Sequence, residues 1–184
     1  WATLYPDGRI YQEPFLRPDV RTMCYNSPYR NHLLEMIQEV ATNYPVKGFF
    51  LDCLYSYRCV CPKCLALMQE QGLDWRNDGQ LDRFSLNSAV TLAGDIARTI
   101  KTRIPSPLIN FNGIGRTRDT ERGTYVELEC LPSNPAWGYG FLPVMARYLS
   151  NRFDDRPLLN MTGRFYDWGD FGGLRPRAGL EYDL

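Results

Sequence analysis

The chain has 184 residues, which is enough for one domain with a hydrophobic core. Its 21 basic and 21 acidic side chains balance, and no charged block points to nucleic acid or an anionic membrane surface as a partner. No apolar run reaches the roughly 20 residues that span a bilayer. Six cysteines do not make a disulfide-dense scaffold. These features predict a globular domain with reduced or metal-bound thiols, for which the cytoplasm is the favoured location.

Helix and strand signals alternate along most of the chain. Residues 1–20 contain several prolines and turn signals, which predict a loop with short extended pieces. Hydrophobic periodicity predicts five strands, at 21–26, 46–54, 107–113, 124–131 and 157–165, and five helices, at 28–41, 61–71, 82–103, 141–150 and from 174 onward. Strands that alternate with helices favour βαβ units and a parallel sheet.

The predicted strands have one apolar face and one polar face. Glu127 and Glu129 share a face of the fourth strand, and Asn110 and Asn112 share a face of the third. In a (β/α)8 TIM-type barrel the outer face packs on helices, and the inner face holds the active site at the C-terminal mouth. An open doubly wound sheet would bury both glutamates under a helix, at several kcal/mol each if they were ionised and unpaired. The pattern therefore favours the barrel.

A complete TIM-type barrel takes about 250 residues and eight strands. The sequence predicts about five parallel strands. We therefore expect residues 1–184 to be part of one glycoside-hydrolase-like barrel domain, without its early strands and its last strand.

Three acidic residues at strand ends are candidates for catalysis. Asp52 ends the apolar run GFFLD, and Glu127 and Glu129 lie two predicted strands later. Paired carboxylates hydrolyse glycosides, with the two groups about 5–5.5 Å apart for retention and about 6.5–9.5 Å for inversion. The alternative for each acid is a solvated strand end or a structural salt bridge.

Amide, arginine and aromatic side chains near the predicted mouth are candidates for sugar binding. Aromatic rings stack on the C–H faces of sugars, while amides and guanidinium groups bind hydroxyls. The alternative is that the rings cap the barrel and hold its loops. The candidates are Asn26, Asn110, Asn112, Trp137, Tyr139, Arg164 and Trp168.

Four motifs occur from about Cys24 onward: CYNSPYR; GFFLD followed by CVCPKC; VELECLP followed by WGYGFLP; and MTGRFYDWGDFGGLRP. Together they resemble a bacterial group of hypothetical glycosyl hydrolases linked to family-151 α-L-fucosidases. The resemblance implies a TIM-type barrel and a retaining, exo-acting α-L-fucosidase-like activity on a carbohydrate substrate, without a catalytic cofactor. That group often has a β-galactosidase-type trimerisation domain downstream, so the full-length protein is expected to be a homo-oligomer.

The more distant family-29 fucosidases use an aspartate at the end of the fourth strand as nucleophile, a pattern that maps onto Asp52. Strand position makes Glu129, which is closer to the strand end, a better acid/base candidate than Glu127. The paired histidines of many fucosidases are absent, since the only histidine is His32 in a predicted helix. The alternatives are a β-galactosidase-like glycosidase, a non-catalytic glycan-binding barrel, and a zinc-stabilised assembly domain.

Cys59, Cys61 and Cys64 follow the nucleophile candidate at close spacing. The pattern resembles a zinc site of family-42 β-galactosidases, which takes a fourth cysteine from an earlier loop. Tetrahedral zinc needs four ligands, and the fourth is either Cys24 or Cys53. Cys24 is favoured, because Cys53 should point to the opposite face of its strand from Asp52. The alternative is a turn with reduced thiols, and in either case the role is structural.

Overall fold

The structure, a computed structural model, describes residues 1–11, 21–113, 123–131, 137–162, 165–167 and 170–182. Its elements in chain order are α1 (Tyr29–Asn43), β1 (Gly48–Leu54), α2 (Pro62–Glu70), α3 (Asp78–Lys101), β2 (Leu108–Gly113), β3 (Val126–Cys130), α4 (Phe141–Arg152), β4 (Leu158–Thr162), β5 (Phe165–Asp167), β6 (Asp170–Leu174) and α5 (Arg177–Tyr182). They form two compact units, Trp1–Arg122 and Gly123–Leu184. No helix within these ranges is both long and apolar enough to cross a bilayer.

In the first unit, β1 and β2 pair in parallel, with Gly48 opposite Leu108. A side chain at Gly48 would collide with the Leu108 carbonyl, so only glycine fits this pairing. Ile109 and Phe111 of β2 are buried in a core that also contains apolar residues of α1 and α3. The apolar face of β2 therefore packs against helices, as the alternating pattern predicts.

The prediction of a strand at 21–26 is wrong. Met23 forms only an isolated antiparallel bridge to Ala2. The Cys24 amide donates to the Trp1 carbonyl at 2.7 Å, and the Thr3 amide donates to the Thr22 carbonyl at 2.8 Å. The backbone groups of this segment thus bond to the start of the chain instead of to β1.

In the second unit, β3 and β4 pair in parallel, with Glu127 opposite Leu159 and Glu129 opposite Met161. Val126 and Leu128 belong to a hydrophobic cluster with Leu149 of α4. The two glutamates alternate with Val126 and Leu128 along β3 and thus belong to its other face. The predicted division of this strand into a helix-packed face and an acidic face is therefore confirmed.

The segment that follows β4 also differs from the prediction. The sequence analysis predicts no strand between the one that ends at 165 and the helix from 174, but β5 and β6 pair antiparallel, with Phe165 opposite Leu174.

Four of the five predicted strands are present and pair in parallel, but they form two two-stranded sheets. Within the described residues the fold is a mixed α/β arrangement without a closed barrel. That residues 1–184 are part of one larger barrel domain stays a prediction.

Candidate active site and metal centre

Asp52 lies on a β-bulge at the C-terminal end of β1. Leu51 pairs with Phe111 and Leu54 pairs with Gly113, so β1 has one residue more than β2 across this step. Cys53 takes up the extra residue with a φ of +56°. A bulge of this kind turns side chains away from strict alternation and is common beside active sites. As a result both Asp52 and Cys53 are exposed, although alternation predicts that they point to opposite faces.

Hydrogen bonds to one of its two carboxylate oxygens hold the side chain of Asp52 in place. Its Oδ1 atom accepts hydrogen bonds from Asn112 Nδ2 and from the Cys53 amide, each at 2.9 Å. Within the described part of the chain, its Oδ2 atom accepts no hydrogen bond. Asp52 and Asn112 meet because β1 and β2 run parallel and end at the same edge. The arrangement fixes the carboxylate and leaves one oxygen open to a ligand.

Asn110 lies two residues before Asn112 on β2 and is only 3% exposed. Its Nδ2 atom has no hydrogen-bond partner among the described residues. A buried amide without a partner costs about 1–3 kcal/mol. An acceptor from elsewhere in the protein or from a ligand would remove this cost, and the substrate-binding role of Asn110 stays a prediction.

Glu127 and Glu129 are buried on β3, with exposed fractions of 6% and 9%. They belong to the second unit and Asp52 to the first, so their convergence at one mouth stays a prediction.

The other predicted sugar-binding residues differ in their surroundings. Trp137 stacks on Phe141 at the start of α4, with ring centroids 5.0 Å apart, and Tyr139 is exposed. Asn26 contacts the cysteines, as described below. Arg164 and Trp168 lie outside the described residues. The sugar contacts of these five residues stay predictions.

Four cysteines come together at the N-terminus of α2. The sulfur atoms of Cys24, Cys59, Cys61 and Cys64 all lie within 4.8 Å of one another, and all four residues are buried. Cys24 Sγ is 3.6 Å from Cys61 Sγ and 3.5 Å from Cys64 Sγ. Four thiolates bound to zinc at about 2.3 Å would be roughly 3.8 Å apart. The cluster therefore could hold a zinc ion, and it contains Cys24, the favoured fourth residue, and not the exposed Cys53.

Asn26 shows which way the hydrogen bonds run beside this cluster. The Phe84 carbonyl can only accept, and Ser88 Oγ donates to it at 3.0 Å. The Ser88 hydroxyl must then accept from Asn26 Nδ2, at 2.9 Å. The second N–H of the same amide donates to Cys64 Sγ at 3.4 Å. Cys64 therefore receives a hydrogen bond, which stabilises a metal-bound thiolate.

The thiols also influence one another's ionisation. Hydrogen bonds from Cys24 and Cys64 hold the pKa of the Cys59 thiol far below its ordinary value. The pKa of Cys24 is raised to about 12, first by its hydrogen bond to Cys59. The pKa of Cys64 is also raised, first by its hydrogen bond to Cys24, although the Asn26 amide acts in the opposite direction. One thiolate is thus favoured at the expense of the others, and only a cation would stabilise all four.

A small cavity of about 10 Å³ adjoins the cluster and is lined by Thr3 and by several of its cysteines. The Thr3 hydroxyl is fully buried and has no hydrogen-bond partner among the described residues. The four buried cysteines, with their sulfur atoms this close together, fit a bound metal better than a group of neutral thiols.

The sequence analysis did not identify the tyrosines that line a cleft together with Asp52. Tyr25 and Tyr57 line a cleft of about 310 Å³ together with Asp52 and Arg21. Tyr25 lies within the motif CYNSPYR, and Tyr57 lies between the motifs GFFLD and CVCPKC. Their position beside strand ends is the signal that could have identified them.

Comparisons with known proteins give one informative match. No protein-family model matches the chain, and no curated protein matches it. Among solved structures, the chain is similar to α-L-fucosidase isoenzyme 2 from Paenibacillus thiaminolyticus, with a TM-score of 0.82 and 31% sequence identity. The match covers 95% of this chain and 27% of the fucosidase chain. The chain thus has the fold of part of a bacterial α-L-fucosidase and spans about a quarter of its length.

Proposed function

We propose that the chain is part of the catalytic domain of a retaining, exo-acting α-L-fucosidase-like glycoside hydrolase. The observation that supports this most directly is the exposed Asp52 carboxylate, held by Asn112 at the C-terminal end of a parallel strand pair. The structural likeness to a bacterial α-L-fucosidase supports the choice of sugar. A link to family 151 rests on the sequence motifs alone.

In this proposal Asp52 is the nucleophile. Its Oδ2 atom attacks the anomeric carbon of the fucoside, while a carboxylic acid on β3 donates its proton to the glycosidic oxygen. The carbon–oxygen bond to the leaving group breaks, and a glycosyl ester forms on Asp52. The carboxylate on β3 then takes a proton from water, which attacks the same carbon and releases Asp52.

Glu129 is the preferred acid/base residue, because it lies nearer the C-terminal end of β3 than Glu127. A retaining mechanism requires the Asp52 and Glu129 carboxyl groups to lie about 5–5.5 Å apart in the full-length protein. A crystal structure with this separation at about 6.5–9.5 Å would instead indicate inversion.

The decisive experiment uses a fluorinated fucoside that forms a long-lived glycosyl ester. The full-length protein is incubated with a 2-fluoro-fucosyl substrate, digested and analysed by mass spectrometry. The expected product is one labelled peptide that contains Asp52, and the Asp52→Asn variant should show neither label nor turnover. Label on another carboxylate, or near-normal hydrolysis of an aryl fucoside by Asp52→Asn, contradicts the assignment. Fucoside binding without turnover in the parent protein would favour the glycan-binding alternative.

We also propose that Cys24, Cys59, Cys61 and Cys64 hold a structural zinc ion. A closed set of four protein ligands leaves no position for water, so the ion would have no catalytic role. It would fix the connection between β1 and α2, which begins at Tyr55, three residues after Asp52. Metal analysis of the purified full-length protein should find one zinc per chain, and the four-serine variant should contain none.

A further inference from the structure

The cleft beside Asp52 has the properties of a small sugar site. Its volume of about 310 Å³ lies at the lower end of the roughly 300–1,000 Å³ that is typical of ligand pockets. This size suits one sugar ring better than an oligosaccharide. Its lining includes two charged residues, Asp52 and Arg21, and two tyrosines, Tyr25 and Tyr57.

Tyr57 is held in place from several directions. Its hydroxyl donates to the Cys53 carbonyl at 3.4 Å, which ties it to the residue after Asp52. Its ring makes an edge contact with Tyr11, with centroids 4.9 Å apart, and lies 5.9 Å from the ring of Tyr25. A ring that is fixed before binding loses little conformational entropy when a ligand packs on it.

The cysteine cluster stabilises the same connection from the other end. Tyr57 lies two residues before Cys59, and the Val60 amide donates to the Leu4 carbonyl at 2.9 Å. The segment is therefore anchored at Cys53 and again at the cysteines, with Tyr57 between the two anchors. This arrangement explains why a structural cluster lies so close behind the nucleophile candidate.

We propose that this cleft binds the terminal sugar ring, with Tyr57 as the aromatic platform under its C–H face and the anomeric carbon facing Asp52. A pyranose has an apolar face of C–H groups and an edge of hydroxyls, which match the ring and the polar groups of the cleft. Arg21 supplies donors to the hydroxyl edge. The inference rests on the proposed role of Asp52 as nucleophile and adds binding residues to it.

The test compares three Tyr57 variants of the full-length protein. L-fucose binding is measured by calorimetry, and kcat and KM are measured on an aryl α-L-fucoside. Tyr57→Ala should weaken L-fucose binding by roughly tenfold and raise KM to a similar extent. Tyr57→Phe keeps the platform and should remain within about threefold of the parent. Tyr57→Leu fills the space without an aromatic ring. If the alanine variant fails to fold, the L-fucose affinity of Tyr57→Leu tests the aromatic platform in its place.

Tyr44 provides the matched control, because it is an exposed tyrosine at the end of α1 and does not line the cleft. Tyr44→Ala should bind L-fucose as the parent does. Parent-like binding by Tyr57→Ala or by Tyr57→Leu overturns the inference, and so does a loss in Tyr57→Phe equal to that in Tyr57→Ala. If Asp52 still takes the fluorinated label in those cases, the proposed function stands without this platform. A parent protein that neither binds L-fucose nor hydrolyses the fucoside overturns both.

Discussion

Replacing Asn26 by aspartate should weaken metal binding at the cysteine cluster, because the change removes the donor that points at Cys64. In the parent chain, hydrogen bonds run from Asn26 to Ser88 and from Ser88 to the Phe84 carbonyl, and the second amide N–H donates to Cys64 Sγ. An aspartate has no donor and would place a negative oxygen about where Nδ2 lies, 3.4 Å from the sulfur.

Loss of such an outer hydrogen bond typically reduces metal affinity by about 10–100-fold. This range corresponds to about 1.4–2.8 kcal/mol at room temperature. The loss of affinity in Asn26→Asp should lie at the upper end of this range, because the new carboxylate also repels the Cys64 thiolate. Asn26→Leu only removes the donor and should lie at the lower end. Ser88→Ala is the control, because it leaves the bond to Cys64 in place and should cost least.

Zinc affinity is measured by competition with a chromophoric chelator, and the thiolate environment by the sulfur-to-cobalt absorption of the cobalt(II) form. The expected order of affinity is parent, Ser88→Ala, Asn26→Leu and Asn26→Asp, with a changed cobalt spectrum in the two Asn26 variants. Parent-like affinity and an unchanged spectrum in Asn26→Asp would refute the hydrogen-bond direction assigned to this cluster.

Three further predictions concern the pairing of β1 and β2, the proposed nucleophile Asp52 and the loop before the cysteines. Gly48→Ala should destabilise the protein by about 1–3 kcal/mol in denaturant unfolding, whereas Gly140→Ala, with open space around it, should be nearly neutral. Equal stability of the two variants would contradict the close approach of the strands. Asn112→Ala should lower kcat by about tenfold or more with a smaller change in KM, since it frees the proposed nucleophile, Asp52, from a charge-assisted hydrogen bond. An unchanged kcat would count against a positioning role for Asn112. Hydrogen bonds from Arg58 hold the pKa of Asp82 below its ordinary value, so their stabilisation is present at neutral pH and is lost as pH falls through that lowered pKa. Arg58→Met should therefore flatten the acidic limb of the stability profile below about pH 4, and an unaltered limb would argue against the pair.

Local sequence determined most of the secondary structure. The helices and four of the strands follow from periodicity, and their ends follow from local chemistry. The long helix α3 begins at Asp78 because the Asn77 side chain accepts from the Gln80 amide at 3.1 Å, a capping signal that the prediction of a start at 82 overlooked. The hairpin of β5 and β6 escaped prediction because its aromatic residues are interrupted by glycines, which locally indicate loops.

The candidate sites needed the tertiary structure, because they join residues that are far apart in the chain. Spacing identified three of the cysteines, but it left Cys24 and Cys53 open as the fourth. Cys24 is brought to the cluster by the backbone bonds of its segment to the first residues of the chain. Cys53 is excluded by its place on the bulge, where it is exposed.

Sequence alone likewise identified Asp52 as the end of an apolar strand, but strict alternation could not give its direction. The bulge adds a residue to β1, and that extra residue exists only relative to the register of β2. The contact with Asn112 and the tyrosine-lined cleft depend on the same pairing. Periodicity is a property of one segment and can be read from the chain, whereas register and convergence are properties of two segments and are decided only when they pack.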